Sequence, residues 1–300
     1  MRFRNTLWLI PAAAITYSVS ALAADPIWSG DFETGDLSQW SSRLDLQEGA
    51  TDRLVVVDAP VRQGRYALRA TVKPGDLNNN GSRAEVVLRD QMFHEGDERW
   101  FHWYTMFPAE FQPSPKWILF TQWHDSGFGS PLGFNLHGET LSFRVMGHEY
   151  DRAGQWEAGT LWKARLQPGK WNEYLLHVKF SDNPNIGFVE LWVDGQPVVP
   201  KTMHATLDPG DYVYLKQGLY RDKSINWDQS VYHDGMRIYA ADPRTGGGNQ
   251  ATASLDPANQ ADAVGCGADD AGSAALLIPG PFLAGWLRRR IRRRRSIPRD

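Results

Sequence analysis

The sequence predicts an all-β protein, a jelly roll in which two antiparallel sheets form a sandwich. Three observations carry this reading. Short extended runs succeed one another from residue 25 to residue 243, clusters of Gly, Pro, Asn and Asp separate them, and no long stretch repeats its apolar residues with the helical period. With 13 Trp, 13 Phe and 10 Tyr, the chain has enough aromatic side chain to fill the space between two sheets.

The runs can be read off in order. "RLVVVDA" and "YALRATV" are rich in β-branched residues and lie on either side of a turn. "AEVVLR", "RWFHWYTMF" and "WILFTQW" are continuous enough in apolar residues to be central strands. "LGFNLH" and "LSFRVMG" alternate apolar and polar positions. "WNEYLLHVKF" is entered through the tight turn "QPGK". "VELWVDGQPV" reads as a hairpin turning at Asp194-Gly195. "YVYLKQGLY" and "GMRIYA" complete the series, with "KPGDLNNNGS", "SDNPNIG" and "DPGD" as further breaks. No repeat of fixed period appears, which argues against propellers and solenoids. No loop within 25–243 is long enough to divide it, so one domain is expected there.

The ends differ from this body. Residues 1–23, "MRFRNTLWLIPAAAITYSVSALA", have a basic start, a short apolar stretch and a small-x-small ending. That is the pattern of a secretory signal peptide, and it predicts a secreted or cell-surface protein. Pro11, Thr16, Ser18 and Ser20 interrupt the stretch and argue against a membrane span. Residues 244–264 are rich in Gly, Ala, Asn and Gln and read as a flexible linker. Residues 265–300 carry Cys266, the run "AALLIPGPFLAGWL" and the cluster "RRRIRRRR". In that order they resemble the sorting tails of myxobacterial surface proteins, which implies attachment to a membrane or cell surface. Pro279 and Pro281 depart from that pattern, and a basic amphiphilic tail without fixed structure is the competing reading.

Cys266 is the single cysteine, so no disulfide forms within the chain. Without the terminal Arg-rich segments and the three acidic residues of the tail, 22 basic and 32 acidic residues remain, a net charge near −10. An acidic body argues against nucleic acid as a partner, and any polyanion must find a local basic patch.

Three runs carry chemistry at a spacing of two, which in a strand places side chains on one face. "SRAEVV" has Arg83 and Glu85, "TQWHD" has Gln122 and His124, and "YLKQGLY" has Tyr214, Lys216, Gly218 and Tyr220. Singly, each is an ordinary polar strand face. Side by side, they make one patch of cations, an amide, an imidazole and phenols, with Gly218 leaving room for a ligand to approach the sheet.

In order and at wide separation, "SRAEVVLR", "TQWH" and "YLKQGLYRD" resemble jelly-roll polysaccharide lyases of the alginate-lyase type. The last, continued to "VYHDGMRIY", is similar to the heparin-lyase-like and glucuronan-lyase-like branch. The resemblance covers most of residues 25–243 and implies a concanavalin-like sandwich that cleaves an acidic polysaccharide of 4-linked uronic acid by β-elimination. It implies that Arg83 and Gln122 hold and neutralise the uronate carboxylate. His124 helps to neutralise it or takes the proton at carbon 5, and Tyr220 donates a proton to the leaving oxygen. Glu85, Asn135, Arg144, Tyr214, Lys216 and Arg221 are candidate sugar contacts. No cofactor is required for this chemistry. "DFETGDLSQW" and "YHDGMRIY" resemble strands of calcium-bearing carbohydrate jelly rolls, which makes Glu33 and Asp234 candidate ligands of a structural calcium; turn carboxylates are the alternative. Trp123 between Gln122 and His124, and the three residues between Glu85 and Arg89, depart from the family pattern.

Elimination demands these residue types. The proton to be removed lies next to a carboxylate whose charge resists more negative charge, so fixed donors must neutralise it. Two other classes compete. A binding module of this fold needs the sugar contacts but no poised His and Tyr. A glycoside hydrolase needs two carboxylates about 5–9 Å apart, and no strand places two on one face.

Overall fold

A computed structural model describes residues 24–44, 51–77, 81–127, 129–145 and 159–245. The expected signal peptide (1–23), all but two residues of the expected linker and the expected tail (265–300) lie outside the described residues.

Fifteen strands are described: β1 (Trp28–Gly30), β2 (Ser42–Leu44), β3 (Leu54–Val57), β4 (Ala67–Val72), β5 (Ser82–Phe93), β6 (Glu98–Met106), β7 (Trp117–Asp125) and β8 (Leu132–His137). There follow β9 (Thr140–Val145), β10 (Thr160–Arg165), β11 (Trp171–Lys179), β12 (Phe188–Val193), β13 (Gln196–Met203), β14 (Val213–Arg221) and β15 (Gln229–Tyr239). All pairings are antiparallel. One sheet runs β13-β12-β11-β6-β15-β4-β3, with β1 also on β15; the other runs β10-β9-β8-β7-β14-β5-β2. The architecture is the two-sheet jelly roll expected.

Each extended run quoted for residues 25–243 coincides with a described strand, and Asp194 and Gly195 turn the β12–β13 hairpin with φ of 51° and 75°, the left-handed pair a two-residue hairpin requires. Three strands carry no legible signal. β1 and β2 have three residues each, too few to show alternation. β10, "TLWKAR", is an edge strand whose partly exposed, charged positions blur the pattern.

The inner faces meet in one aromatic core. Trp103 of β6 stacks on Tyr174 of β11 at 5.1 Å between ring centroids and meets Phe134 of β8 edge-on at 5.0 Å. Trp123 of β7 packs on Phe101 at 4.8 Å. All five are buried. Trp103 bridges the two sheets, so Trp103→Ala leaves a cavity that neither backbone can close. It is expected to cost about 4 kcal/mol and to lower Tm by roughly 10 °C, as calorimetry would show.

Candidate active site

β14 lies between β5 and β7, so the three chemistry-bearing runs are neighbours. Cross-strand register sets Tyr220 opposite Arg83, Gly218 opposite Glu85, Lys216 opposite Gln122, and Tyr214 opposite His124. The intervening residues Leu215 and Leu219 belong to the core, as do Val86, Phe120 and Trp123, so the polar set occupies the outer face of this sheet. Period-two alternation produces this separation along β5, β14 and the Gln122–His124 end of β7, and a bulge next to Phe120 turns that residue into the core despite its parity with Gln122.

Within the set, Glu85 organises its neighbours. It is 2% exposed, accepts from Gln122 Nε2 at 2.5 Å, and lies 3.7 Å from the Arg83 guanidinium. A carboxylate cannot donate, so Glu85 fixes which end of the Gln122 amide is nitrogen; the Ser130 hydroxyl donates to the other end. The Arg83 guanidinium lies 3.8 Å above the ring of Tyr220, and Trp117 meets that ring edge-on at 4.7 Å.

His124 donates from Nδ1 to the backbone carbonyl of Asp125 at 2.8 Å. That bond leaves Nε2 as the lone-pair nitrogen. Burial first, and then the charge of Lys216, hold its pKa below the usual histidine value, so the imidazole is neutral at pH 7. The Tyr214 hydroxyl lies 3.4 Å from the same Nδ1, and Arg89 sits 5.1 Å over the Tyr214 ring. Burial pushes the Lys216 ammonium down to about 8, against the opposing charge of Glu85.

These shifts predict a bounded pH profile for any reaction that uses a neutral His124 and a charged Lys216. kcat/KM rises as His124 loses its proton below pH 6.5 and falls as Lys216 loses its own near pH 8. Lys216→Arg, charged at all accessible pH, is expected to displace the upper limb by one unit or more. An unmoved limb in that variant excludes Lys216 as its origin.

Asn135 of β8 and Arg144 of β9 are on the same outer face, Arg144 standing across Gly133 from Gln122. One expected sugar contact is corrected. Arg221 alternates to the other side of β14 from Tyr220; it is fully buried and donates to the Trp227 carbonyl and Gln229 Oε1. Glu85 is on the expected face and, like Gln122 and Lys216, almost fully buried there, where it holds Arg83 and Gln122.

Glu33 and Asp234 both close onto one turn. Glu33 accepts from the backbone N–H groups of Arg65 and Tyr66, and Asp234 from those of Arg62 and Gln63. Among the described residues no group of three His, Cys, Asp or Glu side chains could hold a metal. The pair therefore offers two of the six to eight oxygen ligands calcium takes, and backbone carbonyls would have to supply others.

Sequence reasoning passes over Trp117, Ser130 and the contact of Arg89 with Tyr214. Trp117 is five residues before Gln122, an odd separation that normally means opposite faces. A bulge between Leu119 and Thr121, in the pairing with β8, reverses the parity and brings both to the outer face. No residue in "WILFTQW" announces it.

The fold and this polar face together define a carbohydrate-active jelly roll. A family model described as polysaccharide lyase matches residues 32–237, and the chain belongs to that family. Among solved structures, the endo-β-1,4-glucuronan lyase of the fungus Trichoderma reesei is similar at 18% identity and a TM-score of 0.60, with 73% of this chain and 99% of that one covered. The catalytic domain of a glycoside hydrolase family 131 protein from Coprinopsis cinerea gives 12%, 0.53, 73% and 95% on the same measures. A family 7 alginate lyase, A1-II', gives 12%, 0.50, 71% and 97%. Identities this low establish a shared fold. No curated protein sequence matches the chain.

Proposed function

We propose that this polysaccharide lyase is an exported enzyme that cleaves a 4-linked polyuronate of glucuronan type by β-elimination, through the face formed by β5, β14 and β7. The observation that carries the reading is the stack of Arg83 on Tyr220 beside Gln122. The Arg83 guanidinium, with the Gln122 amide beside it, neutralises a uronate carboxylate, and the Tyr220 phenol lies against that same guanidinium. In a β-linked glucuronate the carbon-5 proton and the leaving oxygen are on one side of the ring. Tyr220 then takes the proton and returns it to the departing oxygen. In guluronate or iduronate they lie on opposite sides, and the bare Nε2 of His124 is the base.

Glucuronan is favoured on two grounds: the likeness of β14 and β15 to that branch in sequence, and the overall similarity to the Trichoderma reesei enzyme. Export rests on the pattern of residues 1–23. A structural calcium at Glu33 and Asp234 belongs to the proposal too; buried Asp234 Oδ1, without a hydrogen-bond partner, is the atom that fits it. The deciding experiment offers glucuronan, alginate and a heparan-type polymer and follows the ultraviolet absorbance of an unsaturated uronate. Absorbance rising fastest with glucuronan is expected. New reducing ends without absorbance would mean hydrolysis, and binding without products a carbohydrate-binding module.

A further inference from the structure

His233 belongs to β15, in the sheet that does not carry the candidate site, and is fully buried. Its Nε2 donates across the sandwich to the backbone carbonyl of Gly218 on β14 at 2.9 Å. A carbonyl only accepts, so Nε2 bears the hydrogen and Nδ1 the lone pair. The Thr105 hydroxyl of β6, directly across the ladder from His233, donates to that Nδ1 at 3.0 Å. A chain of two directed hydrogen bonds thus runs from one sheet to a single peptide of the other.

That peptide lies in a bulge. β14 pairs with β7 up to Gln217 opposite Thr121 and resumes at Tyr220 opposite Leu119, so Gly218 and Leu219 face Phe120 alone. Gly218 has φ 152°, and a Cβ there would come within 2.2 Å of the Ala84 carbonyl oxygen, so the bulge needs glycine. On its other side β14 pairs with β5 without a break from Leu215 opposite Leu88 to Arg221 opposite Ser82, which sets Tyr220 opposite Arg83. The bulge lets β14 keep this register while Phe120 of β7 turns into the core, and it leaves the Gly218 peptide without a partner residue of its own on β7.

We propose that His233 is a positioning residue for Tyr220: by holding the Gly218 carbonyl where the pairing with β7 is interrupted, it fixes the backbone two residues before the phenol that lies against Arg83. This rests on Tyr220 serving as the acid or base of elimination. His233→Phe keeps the ring volume and loses the donor, whereas His233→Gln keeps an N–H able to reach the carbonyl. His233→Phe is expected to lower kcat on the polyuronate on the order of 100-fold with KM changed less than about threefold. His233→Gln is expected to restore most of that rate. In a double-mutant cycle the loss is expected to vanish on a Tyr220→Phe background, because a phenol already absent cannot be misplaced.

The ring resonances of Tyr220 in ¹³C-tyrosine-labelled protein, assigned by their absence in Tyr220→Phe, are expected to shift in His233→Phe and return in His233→Gln. This readout needs no turnover. A wild-type protein inactive on every polyuronate would therefore refute the functional reading while the resonances still judge the positioning. Full kcat in folded His233→Phe, a loss that adds to that of Tyr220→Phe, or unmoved resonances would each overturn the proposal. Should His233→Phe fail to fold, Thr105→Val decides by the same criteria: a lowered kcat with shifted Tyr220 resonances supports it, and unchanged values overturn it.

Discussion

Tyr220→Phe is expected to reduce elimination by about 10³-fold or more, the upper part of what proton transfer by a positioned side chain supplies. The ring stays, so its contacts with Arg83 and Trp117 stay, and Tm should change by no more than a few degrees. The measurement is kcat by product absorbance at saturating polymer, beside a melting curve. Since binding does not use the lost proton, KM should hold within a small factor. Full activity in this variant would remove Tyr220 from the mechanism and return attention to Tyr214, the phenol nearest His124.

The second large effect is expected at Arg83. Arg83→Met removes the charge against both the uronate carboxylate and the Tyr220 ring, and leaves Glu85 with Gln122 alone. One preorganised donor at developing negative charge is worth about 3 kcal/mol, so kcat should fall by roughly 10²-fold. Arg83→Lys restores charge without the planar fork and is expected to recover only part of the loss. Steady-state kinetics of both variants distinguish transition-state stabilisation from plain binding. A raised KM with kcat intact would assign Arg83 to holding the polymer and nothing more.

The sequence shows the fold well where alternation runs for six residues or more, as in β5, β7 and β14, and poorly where strands have three residues. The site is legible for a similar reason. Gln122 with His124, and Tyr214 with Lys216 and Tyr220, share faces by period two, and the likeness to a family links runs that spacing alone leaves unconnected. What is illegible depends on irregularity or depth. Trp117 is concealed by a bulge that reverses its parity. Glu85 has the right face, but spacing carries no information on how far a side chain stands from the surface. Arg221, expected with the sugar contacts, simply follows the alternation inward. His233 reaches the site strand through the core from another sheet, a contact that no local pattern encodes.

β14 sits between β5 and β7, while β15 sits between β6 and β4, so the last two strands of the domain are interior members of the two sheets. One sheet cannot close until β14, ending at Arg221, is available and the other until β15, ending at Tyr239, is, and these pairings join segments about 90 to 165 residues apart in the chain. Such high contact order makes assembly slow and cooperative. A nascent domain lacking these strands would expose unpaired edges at the centre of both layers, and catalytic competence would arrive together with the final closure of the fold.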